Sequence, residues 1–373
     1  MRRAATLLIA IILVLIALGI VMLYSTSSVR SSVPHFYLKR QVLWLCVAVI
    51  AGVIAAKIDY HYWRKLAVPM FVVTIVLLAM VFVPGIGATV KGSARWIKLG
   101  PLRLQPSELS KFVSIVGMAA WMSRFARQTA EFKMGFLYPF VGLATLAGLV
   151  FLEPDFGTTT VIVVVGMAIM FAAGAKVWRL FVAGVLGTAG LAIAVLQNPN
   201  RLGRIMSFVW PDKYPDQAYH LAQSKIAFIM GGPFGVGLGN SMQKQLYLPE
   251  AHTDFILSII AEELGFVATL LVVILFVGFF ICGMTISFRA GDAFGRLLGF
   301  GITMMISIQA AFNIGVVTGC LPTKGLALPF ISYGGSSLVM AVVMTSVLLS
   351  IAQHTEEDDG RKNRSIKDRA HRL

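Results

Sequence analysis

Ionisable residues near the middle of the chain lead directly into a long apolar stretch. Residues 244–265 read KQLYLPEAHTDFILSIIAEELG, so Asp254 stands at the start of that stretch and Glu262 and Glu263 lie inside it. Ionisable groups next to lipid are costly and commonly mark functional sites. A carboxylate at this position can act as a general base or cap the following helix. The residues alone leave both roles open for Asp254.

Three other polar segments carry candidate residues. In QPSELSK, Glu108 and Lys111 are three residues apart and would share one helix face. In EPDFGTTT, Glu153 and Asp155 flank a proline between two apolar stretches. Arg95, in KGSARWIKLG, suits an interfacial anchor or a contact to a pyrophosphate. A helix-start ion pair, a turn contact and an anchor are the structural alternatives to functional roles for these residues.

The composition indicates a membrane protein. The chain is 57% hydrophobic and 13% charged, whereas soluble domains are about 25% charged. We predict one all-α, polytopic membrane domain at 1–354 and a basic, disordered tail at 355–373. A crossing needs about 20 apolar residues. Ten transmembrane helices are predicted, at 5–24, 41–57, 67–84, 108–123, 136–152, 158–174, 179–197, 255–287, 297–318 and 331–353.

An even number of crossings places both termini on one side of the membrane. Arg2, Arg3 and the basic tail make that side cytoplasmic, following the positive-inside bias. The outer face then has two long loops, 85–107 and 198–254, the second between predicted helices 7 and 8. An anionic substrate would explain why the outer loops carry thirteen cations: Arg30, Lys39, Arg40, Lys91, Arg95, Lys98, Arg103, Arg201, Arg204, Lys213, Lys225, Lys244 and Lys324.

Charge and cysteine usage exclude several classes of function. The net charge of +15 lies in loops and tail, which favours anionic lipid or a phosphate-bearing substrate over nucleic acid. The three cysteines, Cys46, Cys282 and Cys320, suggest neither a disulfide framework nor a metal site. GGPFGVGLGNS at 231–241 follows no strand, so a dinucleotide site is excluded. We predict closely packed, re-entrant backbone there.

The same segments resemble the SEDS family (shape, elongation, division and sporulation) of polytopic peptidoglycan glycosyltransferases. The motifs GSARWIKLG, QPSE, PDFGT, GGPFGVGLGNS, YLPEAHTDFI, AEELG and LPFISYGGSS occur in order over nearly the whole chain. The element TKGL at Thr323–Leu326 resembles the division branch more than the elongation branch. Glu153 departs from the Gln expected before Pro-Asp, which leaves Asp155 as the matching residue.

The resemblance implies a ten-helix SEDS fold that polymerises lipid II at the outer face of the bacterial cytoplasmic membrane. Asp254 would be the catalytic base. The resemblance implies no dedicated cofactor. A divalent cation such as Mg²⁺ near the carboxylates is an additional candidate ligand. The expected partners are a class B penicillin-binding protein and other divisome proteins at the septum. Residues expected to bind substrate are Arg95, Glu108, Lys111, Asp155, Lys244 and His252.

Three other functions compete with septal polymerisation. An elongation-type polymerase would run the same chemistry. A lipid II flippase would need polar lining through the whole bilayer, but the charged residues cluster at one face. A scaffold that only recruits a transpeptidase does not require a cluster of ionisable groups at the start of a helix. The sequence therefore favours a polymerase.

Overall fold

The apolar stretches form helices. The structure is a computed structural model that describes residues 1–30, 36–90, 93–99 and 102–370. Its helices are α1 (Arg2–Arg30), α2 (Phe36–Lys57), α3 (His61–Met80), α4 (Pro106–Arg124), α5 (Tyr138–Leu152), α6 (Phe156–Ala172), α7 (Val177–Leu196), α8 (Pro199–Val209), α9 (Pro215–Gly231), α10 (Ile256–Arg289), α11 (Ala293–Val317) and α12 (Gly335–Ala370).

Length and composition identify a multi-pass membrane protein. Within the described ranges, eight helices are long and apolar enough to cross a bilayer: α1, α2, α3, α5, α7, α10, α11 and α12. α6 is apolar but has only 17 residues. α4 carries polar residues, and it is enclosed by α3, α5, α6, α11 and α12 rather than by lipid. The number of ten crossings stays a prediction.

The N-terminus and the end of the last apolar stretch lie together. The Arg2 Nε donates to the Glu356 Oε2 at 3.0 Å, which joins the start of α1 to α12. The Ser350 hydroxyl donates to the Ile58 carbonyl at 2.7 Å, so the α2–α3 connection reaches the same end of the bundle. The end of α1 and the start of α12 lie at the opposite end. We call these two ends the terminal end and the site end.

A small antiparallel sheet occupies the first long loop, so the purely all-α prediction was wrong there. The strands β1 (Gly87–Val90), β2 (Ser93–Leu99) and β3 (Leu102–Leu104) pair in that order. In β2, Ile97 is buried while Lys98 is exposed, the alternation that a strand imposes. Strands this short give a weak periodic signal beside apolar stretches of about 20 residues.

The second long loop folds back onto the bundle. It contains α8 and α9, and α9 packs against α10. The backbone of the glycine-rich segment pairs with α10, since the Val236 N–H donates to the Glu262 carbonyl at 2.9 Å and the Phe266 N–H donates to the Gly232 carbonyl at 2.9 Å. This is the closely packed backbone that the segment predicts.

α10 is kinked where that segment crosses it. Its 34 residues would extend about 50 Å at 1.5 Å per residue, more than the ~30 Å hydrocarbon core. Gly265 has φ 81° and ψ −176°, a conformation essentially restricted to glycine. A side chain at Gly265 would overlap the backbone of the 233–235 segment. The kink changes the direction of α10, so that its first turns pack against the glycine-rich segment.

The last helix extends beyond the membrane domain predicted at 1–354, and disorder of the tail at 355–373 stays a prediction. α12 continues without a break from Gly335 to Ala370. Starting a helix is the costly step, and adding residues to an existing helix is comparatively cheap. The apolar part of α12 supplies the helix onto which the polar residues add.

Candidate functional site

Asp254 lies in a turn whose backbone is held by residues distant in sequence. Three consecutive carbonyls accept hydrogen bonds: His252 from the Tyr333 N–H at 3.0 Å, Thr253 from the Ser332 hydroxyl at 2.7 Å, and Asp254 from the Asn313 amide at 2.8 Å. α10 begins at Ile256 with Phe255 as its N-cap, so Asp254 is not the helix cap. Its side chain is half-buried.

The loop at 318–334 is held by two amide side chains of α11. The Asn313 Nδ2 donates to the Leu326 carbonyl at 2.6 Å, and the Gln309 Nε2 donates to the Ala327 carbonyl at 2.8 Å. These amides are four residues apart and share one helix face. Asn313 thus holds both the loop and the Asp254 turn, and it fixes the distance between them.

Two glycines let the Asp254 turn and the start of α6 approach this loop closely. A Cβ at Gly325 would lie 2.7 Å from the Asp254 Oδ2, so the carboxylate packs against a residue without a side chain. A Cβ at Gly157 would lie 2.9 Å from the Leu326 Cδ2 and 3.4 Å from the Gly325 carbonyl. Asp254 and the start of α6 therefore both pack against the segment formed by Gly325 and Leu326.

Glu108 and Lys111 form the ion pair that their spacing predicts. The Lys111 Nζ lies 2.7 Å from the Glu108 Oε2 and donates to the Gln309 Oε1 at 2.8 Å. Only 2% of the Lys111 side chain is exposed. Gln309 also donates to the Ala327 carbonyl. The ion pair is therefore linked to the 318–334 loop, and so to the Asp254 turn, through the Gln309 side chain.

Arg95 and Asp155 meet at the turn between α5 and α6. The Arg95 guanidinium donates to the Glu153 carbonyl at 3.1 Å and to the Pro154 carbonyl at 2.5 Å. Cations are favourable at such helix C-termini. The Asp155 carboxylate caps α6 by accepting from the Thr158 N–H at 3.2 Å and its hydroxyl at 3.0 Å. Asp155 therefore has the turn-holding role, and Arg95 is anchored beside it.

Glu153 is fully buried in this turn. Both of its carboxyl oxygens lack a hydrogen-bond partner among the residues that the structure describes. Burial, followed by the nearby charge of Asp155, raises the Glu153 pKa to about 8, against a smaller opposing effect of Arg95. Glu153 is therefore a neutral acid at pH 7. The sequence marks Glu153 as a candidate residue and as a departure from the family motif, but it carries no signal of the burial.

His252 lies in an aromatic cluster behind Asp254. Its ring is 4.3 Å from the Tyr37 ring and 5.8 Å from the Tyr333 ring, measured between centroids. Burial raises the pKa of Tyr333, and the hydrogen bond and charge of Arg40, with the charge of Arg103, oppose that rise. Arg40 and Arg103, two of the outer cations, thus lie near the aromatic cluster that contains His252 and Tyr333.

Lys244 lies in a different environment from the one predicted. Its Nζ is 2.7 Å from the Glu263 Oε1 and donates to the Ser25 hydroxyl at 2.8 Å. Glu263 is fully buried, and 2% of Lys244 is exposed. Glu262 beside it accepts from the Ser241 hydroxyl and, at 2.9 Å, from the Met242 N–H. These groups anchor the long loop to α1 and α10.

A divalent cation does not fit the carboxylates near Asp254. Across the described part of the chain, no group of three or more His, Cys, Asp or Glu side chains is arranged so that it could hold a metal ion. Glu153 is neutral at pH 7, and the charges of Arg95 and Lys324 act on Glu153 and Asp155. Neighbouring cations disfavour a further positive charge. A role for Mg²⁺ stays a prediction, and no step below runs through it.

The fold and the site define a multi-pass membrane protein with a carboxylate held between two loops at one end. The sequence model of the FtsW/RodA/SpoVE family, described as cell cycle proteins, matches residues 5–357. This chain belongs to that family.

Curated relatives match over most of their length. The chain is 41% identical over 350 residues to a probable peptidoglycan glycosyltransferase FtsW of Trichlorobacter lovleyi, covering 92% of each chain. It is 42% identical over 351 residues to the protein of the same name in Coxiella burnetii, covering 92% of this chain and 94% of that one.

Two solved structures share the fold. One, from work on the structural coordination of polymerization and crosslinking by a peptidoglycan synthase complex, has a TM-score of 0.76 and 25% identity, covering 93% of this chain and 97% of that one. The rod shape determining protein RodA of Thermus thermophilus has a TM-score of 0.70 and 25% identity, covering 93% and 95%.

Breaking the buried pair should destabilise the protein. We expect Glu108→Gln and Lys111→Met each to lower the free energy of unfolding by about 3–5 kcal/mol, since either change leaves a buried charge unpaired. The double variant should lose less than the sum of the two losses. Unfolding in detergent, read as a double-mutant cycle, measures the coupling.

The exposed Arg2–Glu356 pair is the control for that cycle. Arg2 is 91% exposed, so Arg2→Gln should have a far smaller effect. Strictly additive losses at Glu108 and Lys111 would show that the buried pair is not coupled.

Glu153 should make stability depend on pH. Its folded-state pKa of about 8 lies above the ordinary value of 4.5, so the folded state holds the extra proton. Stability should fall as pH rises from about 4.5 to about 8, by at most about 1.4 kcal/mol per pH unit. Glu153→Gln should remove this slope when thermal unfolding is followed from pH 6 to pH 9.

Glu131→Gln, at an exposed position, is the matched control and should follow the wild-type curve. The same pH slope in wild type and Glu153→Gln would mean that Glu153 is already ionised in the folded protein.

Proposed function

We propose that this protein is a peptidoglycan glycosyltransferase that polymerises lipid II for septal cell-wall synthesis. The main support is the geometry around Asp254, a half-buried carboxylate held at the site end by three backbone hydrogen bonds. A base works best when its position is fixed before the substrate arrives. The names of the FtsW relatives agree with this activity.

The reaction joins two lipid-linked disaccharides. Asp254 accepts the proton of the 4-hydroxyl on the acceptor sugar as that oxygen attacks the anomeric carbon of the donor. The bond from the anomeric carbon to the diphosphate oxygen breaks, and undecaprenyl diphosphate leaves with the electron pair. The configuration inverts from α to β. Charge develops on the leaving diphosphate, and fixed cations stabilise it.

A lipid II flippase is less well supported. Moving a polar headgroup across the bilayer requires polar lining along its path. Below Gln309, toward the terminal end, α11 presents the buried apolar side chains of Ile302, Met305 and Ile306. Charged and amide groups around Asp254 instead lie at the site end, which favours chemistry at one membrane face.

Replacing the base should abolish polymerisation. We expect Asp254→Asn to fold normally and to lose about 10²–10⁴-fold in the rate of glycan synthesis from purified lipid II, the usual contribution of a general base. Asp212→Asn, an exposed change in the same long loop, should retain the wild-type rate. Polymerisation by the Asp254→Asn protein near the wild-type rate would rule out the assignment.

We infer that a class B penicillin-binding protein is the partner. Support comes from the synthase complex whose polymerising and crosslinking activities are coordinated, and from the division-type TKGL element. The polymerisation rate should rise when the purified partner is added, and depletion in the native host should give filaments without septa. Round cells that still divide would place the chain in the elongation branch.

We further infer that the terminal end is cytoplasmic and that the site end, with residues 198–254, is outside. Connections at the terminal end carry Lys57, Arg179 and Arg296, and Arg2 lies there too. Basic loops favour the cytoplasmic side. A chain with ten crossings has both termini on the same side of the membrane, as this orientation requires.

Cysteine labelling tests the orientation. In a variant without the three native cysteines, Asp216→Cys should react with a membrane-impermeant thiol reagent in intact spheroplasts. Glu131→Cys, between α4 and α5 and exposed, should react only after permeabilisation. The reverse pattern would overturn both the orientation and an outer-face reaction.

A further inference from the structure

A cleft opens between α1 and α10 at the terminal end of the bundle. It has a volume of about 520 Å³, and it is lined by the start of α1, the last turns of α10 and Glu356 of α12. Deeper in the bundle the two helices touch, since a Cβ at Gly278 would lie 3.1 Å from the Ile11 Cδ1. The cleft lies beyond this contact, toward the terminal end. We call this space the α1–α10 cleft.

Three guanidinium groups line the α1–α10 cleft, those of Arg2, Arg3 and Arg289. All three side chains are exposed. Glu356 is the one carboxylate among the described lining residues, and it accepts a hydrogen bond from the Arg2 Nε at 3.0 Å. In the part of the chain that the structure describes, no carboxylate lies within ion-pair distance of Arg3 or Arg289. Positive charge therefore exceeds negative charge around the cleft, which favours an anionic ligand.

The helix dipole does not explain why Arg3 is placed here. The N-terminus of a helix is the positive end of its macrodipole and favours carboxylates, yet the first turn of α1 contains no acidic residue. Arg289, in the last turn of α10, lies at the favourable end of its own helix. The headgroups of anionic lipids attract cations at a membrane surface, and they would stabilise Arg3 where its own helix does not.

Arg3 and Arg289 each share a helix face with an exposed apolar side chain. Leu7 is four residues from Arg3, and Ile281 is eight residues from Arg289, spacings that recur on one face of a helix. Leu7 is 57% exposed and Ile281 is 58% exposed. The cleft therefore presents cations at the end of the bundle and apolar side chains one or two turns deeper. This distribution matches a lipid, which joins an anionic headgroup to acyl chains, better than a soluble phosphate.

We propose that the α1–α10 cleft binds an anionic phospholipid of the membrane leaflet at the terminal end. Arg3 and Arg289 contact the lipid phosphate, and an acyl chain lies along Leu7 and Ile281. Guanidinium groups suit this role because they donate paired hydrogen bonds to phosphate oxygens. The inference does not depend on the proposed reaction, since Asp254 lies at the opposite end of the bundle.

The acidic residues that follow Glu356 are the alternative occupant of the cleft. Glu357, Asp358 and Asp359 come next in the sequence, and their side chains lie outside the described residues. Carboxylates would pair with the arginines but would leave Leu7 and Ile281 uncovered, whereas an acyl chain covers both. A lipid therefore accounts for both the charged and the apolar part of the cleft.

Native mass spectrometry of the full-length protein in detergent measures the binding. The probes are phosphatidylglycerol and, for comparison, phosphatidylcholine with the same acyl chains. Arg3→Gln and Arg289→Gln should each weaken phosphatidylglycerol binding about tenfold, the effect of losing one charge-assisted hydrogen bond. Arg3→Lys should lose less because the charge remains. Glu356→Gln should strengthen binding, since it releases Arg2 from its ion pair.

Arg64→Gln is the matched control, because Arg64 is an exposed arginine in the first turn of α3 at the same end of the bundle. It should bind phosphatidylglycerol like the parent. Equal losses in Arg64→Gln and Arg3→Gln would show that the lipid is held by the general charge of this surface, against the proposal. Parental affinity in both Arg3→Gln and Arg289→Gln, or equal binding of the two lipids, would overturn it as well.

Two further measurements separate the lipid from the other occupants. Glycerol 3-phosphate, which carries a phosphate without acyl chains, should not displace phosphatidylglycerol at equal concentration, and displacement would make this a site for a soluble phosphate. The triple variant Glu357→Gln, Asp358→Asn, Asp359→Asn should bind phosphatidylglycerol like the parent. Tighter binding by this variant would show that the acidic segment occupies the cleft. Arg3 and Arg289 are exposed, so their variants should unfold at the parental temperature.

Discussion

The position of Asp254 depends on hydrogen bonds from two amide side chains of one helix to backbone carbonyls. Asn313 and Gln309 hold three carbonyls of the 318–334 loop and the Asp254 turn. A loop at membrane depth is tolerated only where its polar groups are satisfied by protein. Because Gln309 also binds Lys111, the ion pair in α4 and the turn before α10 belong to one connected network.

Buried charge has a second, purely architectural use in this protein. The Lys244–Glu263 pair and the Glu262 carboxylate attach the long loop to α1 and α10. Removing one partner of such a pair is strongly destabilising, because the other charge is left in a low-dielectric interior. The loop between α9 and α10 is thereby held against its neighbours.

Much of the fold followed from the sequence. Each predicted crossing overlaps a helix, because long apolar stretches admit few other structures, while the number of crossings stays a prediction. The Glu108–Lys111 pair followed from helical spacing. The sheet around Ile97 was missed because three short strands give little periodic signal. Asn313 and Gln309 were missed too, although two polar residues four apart in an apolar helix are a detectable signal.

The functional residues were harder to assign than the elements. Asp254 packs against the 318–334 loop. Arg95 and Asp155 lie at the α5–α6 turn, whereas Lys244 is buried in its pair with Glu263. A sequence gives the number of cations but not the partner of each one, since a charge's partner depends on chain segments far away. Glu153 shows the same limit, because its neutrality at pH 7 depends on burial and on Asp155.

Gly325 has a consequence for how inactivating substitutions are interpreted. A methyl group added at Gly325 would come within 2.7 Å of the Asp254 Oδ2. An alanine at this position could therefore displace the base while every ionisable group is retained. A screen that finds position 325 intolerant would be detecting the room around the carboxylate. Such intolerance would not make residue 325 a participant in bond breaking.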